Sequence, residues 1–169
     1  DPGHPQRLAK VTPPVYEAVI SSEGGKLQEF TLKYRGEKPM VIVGELGPAG
    51  LTIGPADAAT ASPVPMQLST ESLAVTPDKP APELVLSGAY EGLRVREVLT
   101  LRADTFAIDA HVRLENPSST PRAVRVALPW FTRQDWRDEK PKERFQGQHP
   151  TEIVWSGNGH VTHDDNLCK

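Results

Sequence analysis

Apolar and polar residues alternate with a period of two in several separate runs along this chain, with turn-forming residues between them. Tyr16, Ala18 and Ile20 alternate with Val15, Glu17 and Val19; Ser21 to Gly25 interrupts; Phe30, Leu32 and Tyr34 then share a face against Thr31 and Lys33. This is the pattern of a β-hairpin closed at Gly24-Gly25. Met40 to Val43 is a short apolar run between Pro39 and Gly44 and predicts a buried strand. Leu84 to Tyr90 and Leu93 to Leu101 are extended, with Leu93, Val95, Leu99 and Leu101 on one face and Arg94, Arg96 and Thr100 on the other. After a turn at Asp104, Phe106, Ile108, Ala110, Val112 and Leu114 alternate strictly with Ala107, Asp109, His111, Arg113 and Glu115. Asn116 to Pro121 supplies a turn, and Ala123 to Leu128 predicts a third strand with Val124, Val126 and Leu128 inward. Three such strands in succession imply an antiparallel meander with one buried and one solvated face. Two further short strands are predicted at 152–156 and 159–162, around Gly157-Asn158-Gly159.

No segment carries a sustained 3.6-residue apolar period between caps, so the predicted class is all-β, a sandwich of antiparallel sheets with few or no helices. Proline places the irregular parts. Four of the 17 prolines lie in residues 1–14, which read as a flexible tail, leaving 15–169 as the sandwich domain. Seven more lie in 44–83, where an interior proline costs a helix about 3 kcal/mol and a strand a donor. Loops are expected there, with one short strand around Met66 to Val75.

The net charge of −3 over 169 residues provides no extended basic field, which argues against nucleic acid as a partner. No apolar run approaches the ~18 residues of a membrane-spanning helix, so the stretch is expected to behave as a soluble domain. The single cysteine, Cys168, has no internal partner for a disulfide, and Asp164 and Asp165 oppose a thiolate there; it is expected to be incidental.

Candidate chemistry is sparse. No nucleophile elbow, phosphate-binding glycine loop, zinc-type histidine motif or CxxC occurs, so neither catalytic residues, metal ligands nor a cofactor are expected. His160 and His163 precede Asp164 and Asp165, but residues three apart on a strand point to opposite faces, and exposed polar roles are expected. His111, between Asp109 and Arg113, reads as a solvent-facing cross-strand residue. Asp135, Asp138, Glu139 and Glu143 could offer a carboxylate pair, yet Arg133, Arg137, Lys140, Lys142 and Arg144 interleave them as in a solvated loop. Trp130, Phe131, Trp136 and Phe145 stand in the non-repetitive segment 129–150. They either plug the sandwich or line a groove for a sugar or peptide, or another partner contact.

The hairpin Glu17-Ala-Val-Ile-Ser-Ser-Glu-Gly-Gly-Lys-Leu-Gln-Glu-Phe-Thr-Leu-Lys-Tyr34 resembles the opening hairpin of the large extracytoplasmic domain of YidC-type membrane protein insertases. Val95-Arg96-Glu97-Val98-Leu99-Thr100-Leu101, followed by Asp104-Thr-Phe-Ala-Ile-Asp-Ala110, Val112 and Asn116-Pro117, is similar to a later pair of strands in the same domain. The resemblance covers about residues 15–128. Phe106 stands where the family often has Tyr, and 44–83 matches poorly. The resemblance implies a β-supersandwich related to sugar-binding, mutarotase-like domains, facing the periplasm from the bacterial inner membrane between the first two membrane helices. It implies non-enzymatic assistance to membrane-protein insertion and folding, with Sec translocon components and nascent membrane proteins as partners, and no functional residue carries over. It also implies that the chain is truncated at its C-terminus relative to the family and that membrane helices flank it. A carbohydrate-binding or sugar-modifying sandwich is the alternative reading.

Overall fold

The structure, a computed structural model, describes residues 6–33, 38–40, 50–59, 61–78, 81–105, 107–129 and 153–164. The strands in chain order are β1 (Leu8–Thr12), β2 (Tyr16–Ser21), β3 (Leu27–Leu32), β4 (Lys38–Met40), β5 (Thr52–Pro55), β6 (Ser62–Pro63) and β7 (Met66–Leu68). They continue as β8 (Ser72–Ala74), β9 (Glu83–Tyr90), β10 (Leu93–Leu101), β11 (Ile108–Glu115), β12 (Val124–Ala127), β13 (Ile153–Gly157) and β14 (His160–Asp164). Among the described residues there is no helix, and the class is all-β. The chain divides into two units, residues 1–132 and 133–169.

In the first unit, β2 and β3 form the expected hairpin. Gly24 and Gly25 both have φ +65°, the left-handed conformation that a two-glycine turn adopts without a Cβ penalty. The hairpin lies in a five-stranded sheet of order β4-β3-β2-β1-β8, in which β8 runs parallel to β1 and the other pairs are antiparallel. A four-stranded sheet, β11-β10-β9-β7, is antiparallel throughout, and a three-stranded sheet takes the order β12-β5-β6. The inner faces meet in one core: Ala9, Val11, Tyr16, Ala18, Ile20 and Phe30 from the first sheet, Met66, Leu84, Leu86, Val95, Leu99 and Leu101 from the second, and Leu51, Ile53 and Val64 around the third. Tyr16 and Phe30 stack with ring centroids 4.8 Å apart.

The β2–β3 turn ties the three sheets together. Gly24 N donates to the Val64 carbonyl (2.8 Å), Leu51 N donates to the Gly24 carbonyl (2.6 Å), and Met66 N donates to the Ser22 carbonyl (2.9 Å). Thus the turn closing one sheet satisfies backbone groups on the segments that enter the other two.

Four expectations are corrected. Residues 8–12, read as part of a tail, form β1 near the centre of the five-stranded sheet, with Ala9 and Val11 wholly buried. The prolines flank this strand rather than interrupt it, so its donors remain free to pair with β2. The segment 44–83 carries four short strands, β5 to β8, instead of one; Pro55 and Pro63 end β5 and β6, and Pro65 precedes β7. The third strand of the expected meander, β12, leaves β11 and pairs with β5, Val126 facing Ile53 across the ladder. Val126 and Leu128, expected inward, are exposed. Of the strand expected at Met40 to Val43, Met40 belongs to β4, which pairs with β3, and residues 41–43 lie outside the described residues.

In the second unit, β13 and β14 form the predicted hairpin around Asn158-Gly159, with Gly157 opposite His160.

Candidate functional site

A two-residue turn at Glu91-Gly92, with φ +44° and +87°, folds β10 back on β9, and β11 returns along the other side of β10. Side-chain alternation sends Leu93, Val95, Glu97, Leu99 and Leu101 inward and leaves Arg94, Arg96, Val98 and Thr100 on the outer face. The register then aligns outer residues in rows across the sheet. Gln67, Ser87, Arg96 and Arg113 form one row, and Ala89, Arg94 and Glu115 the next. An open concavity of about 360 Å³ lies over these rows, lined by Ser87, Arg94, Arg96, Arg113 and Glu115 among others. Arg113 pairs with Glu115 at 2.8 Å; among the described residues neither Arg94 nor Arg96 has an ion-pair partner. Arg102 and Asp109 (2.9 Å) pair at the opposite end of the same strands, and Arg122 reaches the carboxylate of Glu91 (2.8 Å) at the β9–β10 turn.

On the inner face of the same strand lies Glu97, a carboxyl among apolar neighbours with 1% of its surface exposed. Its carboxyl group packs against Gly25, where a Cβ would collide with Oε2. Oε2 has no hydrogen-bond partner among the described residues, and burial pushes the pKa up to about 7. Lys26, the adjacent buried cation of the turn, pairs with Glu23 at 3.6 Å. Glu97 is therefore poised to take up a proton near neutral pH, inside the sandwich and on the opposite side of the strand from the arginines.

Trp130, Phe131, Trp136 and Phe145 lie outside the described residues, as do Asp135, Asp138, Glu139, Glu143 and Cys168. His160 and His163 stand on β14, opposite Gly157 and Val154. Among the described residues, no three His, Cys, Asp or Glu side chains gather as a metal-ligand set. His111 is exposed on β11 opposite Val98, as expected. Sequence reading placed Arg94, Arg96 and Arg113 on polar faces but passed over their convergence and over Glu97. The signal for Glu97 was present: an acidic residue at an inward position between Val95 and Leu99.

The model of the YidC periplasmic domain matches residues 8–166 of this chain. The chain belongs to the YidC periplasmic-domain family. This match extends beyond residues 15–128, where the resemblance lies, and takes in β1 and the second unit as far as residue 166. The membrane protein insertase YidC of Maridesulfovibrio salexigens is 31% identical over 155 residues, covering 86% of this chain and 27% of that protein. The membrane protein insertase YidC of Syntrophus aciditrophicus is 29% identical over 148 residues, covering 81% of this chain and 27% of its own length. The chain thus spans about a quarter of the curated relatives it matches. Membership in the YidC periplasmic-domain family places it at the inner membrane, facing the periplasm.

Proposed function

We propose that this chain is the periplasmic part of an inner-membrane insertase and serves as a non-catalytic interaction module assisting the insertion and folding of membrane proteins. Its partners on this reading are Sec translocon components and nascent membrane proteins. The observation that carries the reading is the family match over residues 8–166, together with relatives titled membrane protein insertase. The way the sandwich is built supports it. The inner faces, that of the edge strand β11 excepted, are filled by the protein's own side chains, so contact with a partner falls to outer faces and strand edges, where Val126 and Leu128 expose apolar surface.

The test uses the full-length insertase in cells depleted of the native one. Photoreactive residues placed at Val126 and Leu128 are expected to crosslink to translocon subunits or to a nascent membrane protein, and deletion of residues 8–166 to slow insertion of a subset of substrates. Full activity after that deletion, with no crosslink from either position, would remove the assigned role.

A further inference from the structure

Three arginines share the outer face of β10 and β11 in a chain whose net charge is −3. Arg96 and Arg113 are directly opposite one another in the antiparallel ladder, which places their Cβ atoms roughly 4.5–5.5 Å apart. Arg94 lies two residues before Arg96 on the same face, roughly 7 Å along the strand. Like charges directly opposed destabilise a strand pair unless a counter-charge lies between them. Glu115, which stands opposite Arg94 in the ladder, engages Arg113, which leaves Arg94 and Arg96 without an ion-pair partner among the described residues. Ser87, in the same row as Arg96 and Arg113, adds a hydroxyl donor at the concavity.

Guanidinium donors are forked and suit the oxygens of a tetrahedral oxyanion two at a time. The residual charge of the cluster, three cations against one anion, matches a group carrying one to two negative charges. The concavity, about 360 Å³ and partly open, has room for a headgroup-sized ligand. We propose that the face formed by Ser87, Arg94, Arg96 and Arg113 is a binding site for a phosphate group. Two sources share that chemistry: a soluble phosphate ester, or the phosphate of an anionic phospholipid headgroup at the membrane this domain faces. The assignment goes beyond the insertion role and stands on the register of the sheet, the arginines unpaired among the described residues and the concavity over them.

The 169-residue chain is titrated at low ionic strength with inorganic phosphate, glycerol phosphate and, as a carboxylate control, acetate, reading the arginine side-chain NH signals by NMR. In parallel it is floated with phosphatidylglycerol vesicles and with phosphatidylcholine vesicles. Saturable shifts at Arg94, Arg96 and Arg113 with phosphate, or flotation with phosphatidylglycerol but not phosphatidylcholine, are expected. Saturation by glycerol phosphate assigns the soluble ester, and binding confined to phosphatidylglycerol vesicles assigns the lipid. Arg96→Gln is expected to weaken binding about tenfold, and Arg102→Gln at the far end of the strand to leave it unchanged. Because Arg96→Gln relieves a like-charge contact, its melting temperature in phosphate-free buffer is expected to equal or exceed that of the wild type. At a given concentration, added phosphate should raise the melting temperature of the wild type more than that of Arg96→Gln. An equal response to acetate, equal binding by Arg96→Gln, or no saturable response in either arm overturns the proposal.

Discussion

Glu97→Gln isolates the energetic consequence of a carboxyl buried in the sandwich. The group's pKa rises from its ordinary 4.5 to about 7 because burial penalises the ionised form. At about 1.4 kcal/mol per pH unit, that difference corresponds to about 3 kcal/mol between the protonated and ionised native states. Between pH 4.5 and 7 the native protein holds a proton on Glu97 that the unfolded chain has released. The native state binds more protons there, so stability falls as pH rises through this window and levels off above it. The stabilising contribution is complete below the unfolded pKa and lost as pH passes the folded one. Glutamine keeps the shape of the neutral acid and cannot ionise. The variant should match the wild type within about 1 kcal/mol at pH 5 and exceed it by up to about 3 kcal/mol at pH 8. Urea denaturation of both proteins at half-unit steps from pH 4.5 to 8.5 reads the difference directly, with equal m-values verifying that the unfolding reaction is unchanged. Other titrating groups contribute to both profiles alike and cancel in the subtraction. Parallel profiles across this range would refute the reasoning, because they would mean that Glu97 ionises in the native state at its ordinary pKa.

Gly24→Ala forces a side chain onto φ +65° and against the Leu51 backbone, whose carbonyl oxygen would stand 2.5 Å from the new Cβ. The expected cost is at least about 2 kcal/mol in chemical denaturation, and an unchanged midpoint would show that the turn is not the hinge of the three sheets. Removing residues 1–12 deletes β1, exposes the edge of β2 and takes Ala9 and Val11 out of the core, so loss of cooperative thermal unfolding is expected. Retention of the wild-type transition would make β1 dispensable. Titration with a panel of sugars is expected to be flat by tryptophan fluorescence; a saturable signal abolished by Trp130→Ala or Trp136→Ala would revive the carbohydrate reading.

The sequence by itself determined the class and the local elements. Period-two alternation in 16–20, 93–101 and 108–114 needs only the geometry of a strand to sort inward from outward residues. The turns at Gly24-Gly25 and Asn158-Gly159 need only residues that accept positive φ, and the structure places both hairpins there. Family membership was also legible, because the order of the two strand motifs belongs to the chain itself. Pairing between distant segments was decided by tertiary structure. Nothing local in Leu8–Thr12 announces that it lies between β2 and a parallel β8, since parallel pairing is earned through contacts some sixty residues away. β12 carries the alternation of an inward-facing strand, yet it pairs with β5 at a sheet edge, where Val126 stays exposed. Ala110 is exposed for a similar reason: β11 ends the sheet, and its inner face is only partly covered. The two features with chemical consequence came from register and packing. Arg96 meets Arg113 only because β10 and β11 align at that offset, and Glu97 resists ionisation only because the turn of another sheet closes over it. A sequence lists charges in order, whereas their energies depend on what lies opposite and on how much water is excluded, and both are properties of the folded sheets.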